Sequence, residues 1–242
     1  MKQAFRFSIL ALTLALSACA TPGAPGNDAI VVKADSPNGG ANEATLIAAS
    51  HGRVQRSGDD LILRFANGRV MTFHNDDKGC EDGLDHCDGF VLAADLPQFH
   101  WLLVNERLYE GENLFLFDDQ TGGRTQIPFW PVFSPDGQRM LFLNDDVSDS
   151  FPGDNLEIWR REGTRAVREW ADNPSESDTG VPPDFGPYHA EVQNWRGDHI
   201  SLIFSTHDIF NTRTRQTISG RKWTATLTHG TDGWRLNARA PK

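Results

Sequence analysis

Phe133-Ser134-Pro135-Asp136-Gly137-Gln138-Arg139-Met140-Leu141-Phe142 is a turn set between two apolar runs, and Asn155-Leu156-Glu157-Ile158-Trp159-Arg160 follows it. Each turn residue has a mechanical reason to be there. Proline fixes φ at the second turn position, aspartate hydrogen-bonds back to the backbone, and glycine takes the positive φ. The flanking runs, Val132-Phe133 and Arg139 to Leu143, are short and apolar, as strands are. Asn155 to Arg161 and Arg165 to Trp170 continue the pattern, giving strand, turn, strand, loop, strand, turn, strand.

The same unit can be laid over its neighbours. Upstream, Asp95-Leu96-Pro97-Gln98-Phe99-His100-Trp101-Leu102-Leu103 precedes Asn113-Leu114-Phe115-Leu116-Phe117-Asp118. Pro97 to Pro135 is 38 residues and Leu114 to Leu156 is 42. Downstream, a divergent copy sets Asn194-Trp195-Arg196-Gly197-Asp198-His199-Ile200 before Lys222-Trp223-Thr224-Ala225. Repeats of roughly 40 residues with four strands each are the signature of propeller blades. Phe133-Ser134-Pro135-Asp136-Gly137 resembles the turn that joins the first two strands of a blade in TolB-like and WD40-like propeller repeats. Two copies depart from that pattern: Asp-Gly is missing at Gln98-Phe99 and inverted at Gly197-Asp198. The resemblance implies an all-β fold of antiparallel four-stranded units. These would form roughly four or five blades or an incomplete propeller, with a β-sandwich as the alternative.

The rest of the chain agrees with all-β. Leu61-Ile62-Leu63-Arg64-Phe65 and Arg69-Val70-Met71-Thr72-Phe73-His74 flank Ala66-Asn67-Gly68, and Asn-Gly between two such runs is a strong hairpin signal. Further strands are expected at Gly89 to Ala93, Phe99 to Leu108, Asn113 to Phe117 and Arg124 to Ile127. The last set is His189 to Trp195, His199 to Ser205, Lys222 to His229 and Trp234 to Ala238. No stretch shows a sustained 3.6-residue period with caps. Asn144 to Asp154 and Asn173 to Pro187 read as long polar loops.

The first nineteen residues address the protein. Lys2 and Arg6 give a basic start, Ile9 to Leu16 is an apolar run too short to span a bilayer, and Leu16-Ser17-Ala18-Cys19 follows. This order resembles the lipobox of bacterial lipoproteins. It implies removal of residues 1–18 and acylation of Cys19, palmitate being one such chain. Ala20, in place of the aspartate that favours inner-membrane retention in that family, implies the outer membrane. Ala20 to Asn42 is rich in Gly, Ala, Pro and Asn, so residues 19–43 read as a flexible tether and residues 44–242 as one folded domain. The mature chain would carry 21 basic against 33 acidic side chains, net −12. Such a surface excludes charge-driven binding of nucleic acid.

With Cys19 lipidated, Cys80 and Cys87 remain in an oxidising compartment. A disulfide between them is the favoured reading; a metal site with His74 and His86, or free thiols, are the alternatives. Six carboxylates (Asp76, Asp77, Glu81, Asp82, Asp85 and Asp88) crowd this loop, which is expected to be a solvated acidic turn. Any ion held there would be calcium. Asn144 to Asp154 is a second acidic loop of the same kind. His189 and Glu191 are expected on one face of a strand, and Ser205 with His207-Asp208 resembles a triad only in composition. No cofactor motif and no zinc-ligand spacing is present. Trp130, in Pro128-Phe129-Trp130-Pro131, is the candidate binding residue, placed to stack on a sugar or grip a peptide, or else to close a junction between blades.

These readings converge on a lipid-anchored envelope protein acting as a binding or scaffolding module. Its expected partners are the membrane, through the lipid, and an envelope protein or glycan. The alternative is an envelope hydrolase that cuts glycans or peptides with carboxylate acid and base residues.

Overall fold

The computed structural model describes residues 30–31, 40–76, 89–108, 111–143, 156–172, 188–206, 209–211, 216–218, 220 and 222–238. Apart from one helix, α1 (Gly40–Ala49), and a short 3-10 turn at Pro97–Phe99, the described elements are strands. β1 (Ile30–Val31) precedes the helix. β2 (Val54–Ser57), β3 (Asp60–Arg64) and β4 (Val70–His74) form a three-stranded sheet. β5 (Gly89–Leu96), β6 (Trp101–Leu108), β7 (Gly111–Asp118) and β8 (Arg124–Ile127) form the second sheet. β9 (Pro131–Phe133), β10 (Arg139–Leu143), β11 (Leu156–Glu162) and β12 (Arg165–Asp172) form the third, to which β1 adds a fifth strand beside β9. The fourth is β13 (Tyr188–Arg196), β14 (His199–Thr206), β17 (Lys222–Gly230) and β18 (Gly233–Ala238). A separate hairpin, β15 (Ile209–Asn211) and β16 (Gln216–Ile218), interrupts it. All pairings are antiparallel between neighbours, so each sheet is a meander.

The turns form for the reasons their residues suggest. Gly137 has φ 65° and its N–H donates to Ser134 O at 2.8 Å. Asp136 Oδ1 accepts from Ser134 Oγ and from the Gln138 N–H, and Ser134 Oγ accepts from the Arg139 N–H. Gly68 (φ 84°) closes the Asn-Gly hairpin, with Asn67 Oδ1 accepting from the Arg69 N–H. Where the second unit lacks glycine, His100 takes the left-handed conformation instead, at φ 56°.

The repeat extends to its irregularities. Leu96, Ser134 and Arg196 each close the turn between the first and second strands of their units. Three residues earlier stand Ala93 and Gln193, each at a β-bulge, and Pro131. Bulges and strand starts are where a sheet tolerates a residue with no N–H to donate.

Three core clusters hold the sheets face to face in chain order. Leu61 and Leu63 of the first sheet pack with Leu102, Val104, Phe115 and Phe117 of the second. Trp101, Leu103, Leu114 and Leu116, from the opposite face of that second sheet, pack with Phe133, Met140 and Phe142 of the third. Leu141, Leu156 and Ile158 pack with Trp195, Ile200, Leu202, Phe204 and Leu227 of the fourth. Each fully buried leucine contributes about 1.5–3 kcal/mol to this stacking. Among the described residues no cluster joins the first sheet to the last. Their outward faces are mixed, with Gln55, Thr72 and His74 exposed beside Ile62 and Val70 at one end, and Ser201, Thr224 and Asn237 exposed beside Ile203 at the other.

Two parts of the stretch read as tether carry secondary structure. Ile30 and Val31 pair with Phe133 and Val132. Helix α1 begins at Gly40, and Glu43 Oε1 accepts from Arg56 Nη2 at 2.6 Å and from the Leu92 N–H at 2.8 Å. The helix lacks a strong apolar period because it touches the fold along a narrow strip, with Leu46 and Ile47 half-buried against the first core. That is why the sequence carried no helical signal there.

Candidate functional site

The two ends of the sheets differ. At one end lie the turns between first and second strands and between third and fourth. The Ala66 and Asn67 N–H groups donate to Asp119 O and Gln120 O, each at 3.0 Å, tying the β3–β4 turn to the β7–β8 turn. A Cβ on Gly123 would come within 2.7 Å of Thr164 O, so the β11–β12 turn sits against the β7–β8 turn. Gly137 lies against the Phe99 ring.

One arginine spans each junction at this end. Arg53 Nη2 donates to both Asp95 carboxylate oxygens at 2.8 Å, and Nη1 donates to Asp119 at 3.0 Å. Arg161 donates to Asp118 Oδ2 at 2.5 Å and to the Phe99 carbonyl, with its guanidinium 4.4 Å from the centre of the Trp101 ring. Arg139 pairs with Glu169 at 3.0 Å and Asp198 at 3.4 Å. Burial pushes the Asp95 carboxyl above its ordinary value, and Arg53 opposes the shift. His100 Nδ1 lies 3.1 Å from Asp119 Oδ1. Asp95, Asp118 and Asp119 are buried and committed to arginines, which is the chemistry of a clamp between sheets rather than of proton transfer.

The other end is where the long connections leave. At the junction of the second and third sheets, Pro128-Phe129-Trp130 makes the crossing. Trp130 is half-buried against the core cluster there, and its indole N–H donates to Glu112 Oε1 at 2.7 Å. Asn105 Nδ2 donates to Glu112 Oε2, also at 2.7 Å. Asn105 is only 7% exposed, and its Oδ1 is buried without a hydrogen-bond partner among the described residues. Glu157 and Trp159 of the third sheet face the same junction. Trp159 Nε1 donates to Glu157 Oε2 at 2.5 Å, and Arg168 stands 3.8 Å from Oε1. Two carboxylates, each capped by an indole N–H, thus meet one aromatic-lined junction.

Of the residues singled out from sequence, Trp130 is the one the fold brings into a polar cluster. Glu191 is exposed on β13; the His189 side chain lies outside the described residues. Ser205 is on β14, while His207, Asp208, Cys19, Cys80, Cys87 and the acidic loops (Asp76 apart) lie outside them too. Among the described residues no group of three or more His, Cys, Asp or Glu side chains is arranged to hold a metal. Glu112 and Asn105 were not singled out from sequence. Asn105 carried a signal, since it continues the period of Trp101 and Leu103 onto a face that ought to be apolar. Glu112 carried none.

Comparison with protein-family models, with curated proteins and with solved structures finds no match.

Proposed function

We propose that this chain is a lipid-anchored protein of the cell envelope, held in the outer membrane through Cys19, that works as a binding or scaffolding module of propeller-type blades in an incomplete ring. The leader supports the address. The blade reading is supported by four consecutive antiparallel sheets, a turn position shared by three of them and a bulge position shared by the second and fourth, and the incomplete ring by the lack, among the described residues, of a core cluster joining the first sheet to the last. The observation that carries the binding reading is the commitment of the carboxylates. Asp95, Asp118 and Asp119 are locked to arginines between sheets, while Trp130 stands at the end where the connecting loops emerge. A rigid stack presenting loops at one end is a docking platform.

A second reading, an envelope hydrolase, draws on Glu112 and Glu157 facing one junction. Both have their oxygens engaged by indole, amide or guanidinium donors. Fractionation tests the anchor: Cys19→Ala should move the protein from the membrane pellet to the soluble fraction, and a variant that still pellets sinks that reading. Incubation with purified envelope glycan and peptide substrates tests the other half, since turnover would replace the scaffold with the enzyme.

A further inference from the structure

We propose that Trp130, Glu112 and Asn105 form a binding site for a neutral oligosaccharide. The inference rests on the binding reading above and gives it a ligand class. Sugar recognition needs an aromatic surface for the C–H face of the ring and fixed acceptors for its hydroxyls. Trp130 supplies the first, held rigidly between Pro128 and Pro131 and half-open to solvent. Glu112 supplies the second: it is exposed and is oriented from two sides by the Trp130 and Asn105 donors. Each carboxylate oxygen keeps acceptor capacity beyond the one bond it makes.

Asn105 is the observation that points to a missing partner. Its Nδ2 is spent on Glu112, so Oδ1 is left buried with no donor among the described residues. An orphaned buried acceptor is costly, and native structures seldom leave one without reason. A small turn of the Asn105 amide would bring Oδ1, closed to solvent as it stands, within reach of a ligand hydroxyl beside Glu112.

The alternative occupant is a proline-rich peptide laid along the aromatic pair Phe129-Trp130. Such a peptide presents carbonyl oxygens and wants a free indole N–H. Here that N–H is already given to Glu112, and the neighbouring groups are acceptors, which repel carbonyls and welcome hydroxyls. Charge narrows the sugar further. A mature chain with net −12 and a carboxylate at the site disfavours phosphorylated, sulfated or uronic acid glycans.

The test is calorimetric titration of the purified full chain, in a detergent without a sugar head group, with trimers of N-acetylglucosamine and of glucose as probes. At least one trimer should give saturable binding. Trp130→Ala and Glu112→Gln should each weaken it about tenfold or more, Trp130→Phe should retain part of it, and Arg235→Ala, on the far sheet, should leave it unchanged. No saturable heat with either trimer overturns the proposal, as does binding that survives Trp130→Ala with the fold intact by circular dichroism. Binding of a proline-rich peptide, with Trp130 required, overturns it in favour of the peptide. Cleavage of a bound trimer keeps the site and overturns the non-catalytic reading. None of these outcomes alters the Cys19 fractionation result, so failure here and failure of the anchor are separable.

Discussion

The second and third sheets and the two terminal sheets solve different burial problems, and their sequences differ accordingly. β6 runs Trp101-Leu102-Leu103-Val104 without a polar break. Trp101 and Leu103 face the third sheet, and Leu102 and Val104 face the first. β14 runs His199-Ile200-Ser201-Leu202-Ile203-Phe204, with Ile200, Leu202 and Phe204 buried and Ser201 exposed. A strand covered on both faces reads as a continuous apolar run, and one covered on a single face alternates. The alternation of β4 and β17 agrees with cover on one face, whereas β3 and β14 keep Ile62 and Ile203 half-buried on the outward face. The contrast teaches that cover by a neighbouring sheet, rather than strand pairing itself, sets how apolar a strand is.

The largest effect separates an inner position from an outer one. Phe142 is fully buried between the second and third sheets, edge-on to Trp159 at 5.5 Å. Phe142→Ala should cost about 3–5 kcal/mol. Thr224→Ala, on the outward face of the last sheet, should stay within about 0.5 kcal/mol. Urea midpoints for the two variants measure the contrast, and equal losses would mean that the outward face is covered in solution.

Next come the ion pairs. Arg161 and Asp118 are 16% and 1% exposed. Removing the guanidinium strands a buried carboxylate, so Arg161→Ala should cost about 3 kcal/mol. Arg235 and Asp232, 67% and 69% exposed on the last hairpin, make a solvated pair. Arg235→Ala should cost less than about 1 kcal/mol. A double substitution, Arg161→Met with Asp118→Leu, should recover much of the loss if burial of an unpaired charge is its cause.

Equivalent turns give a third contrast. A Cβ on Gly137 would meet the Phe99 ring at 2.0 Å, and φ is 65°. Gly197 has φ 53° and nothing within 4 Å. Gly137→Ala combines the left-handed penalty with a clash, about 2–4 kcal/mol in all, whereas Gly197→Ala carries the penalty alone, about 1–2 kcal/mol. Similar melting shifts for the two would mean that the Phe99 ring gives way freely.

Most strand positions were legible in the sequence because apolar period and turn chemistry are local. Arg124–Ile127 and Arg139–Leu143 fall where their residues place them. What was illegible is long-range. Nothing near Arg53 in the chain says that it will bridge Asp95 and Asp119, because the partners lie 42 and 66 residues away. The strand role of Ile30–Val31 was hidden for the same reason: two residues carry no period, and their pairing depends on an edge built a hundred residues later. Trp130 was legible as a candidate from its proline-flanked setting, whereas its carboxylate partner depends on where β7 begins.

The smallest expected effect belongs to the outward face of the first sheet. There His74 Nδ1 stands 2.8 Å from Asp60 Oδ1, across the β3–β4 pair. The hydrogen bond to Asp60 raises the imidazole above its ordinary value of 6.5. Asp60, Asp59 and Asp76 add favourable charge, and slight desolvation opposes them. A raised folded value means that the native state holds the proton more tightly than the unfolded chain. The contribution is therefore complete below 6.5 and is lost as pH rises through the folded value. Because the pair is exposed, solvent screens it and the gain is slight. The melting midpoint should fall a little between about pH 6 and about pH 8, and His74→Gln should remove that fall without moving the midpoint at the higher pH. A His74→Gln profile that keeps the slope would sink the assignment of the fall to the His74–Asp60 pair.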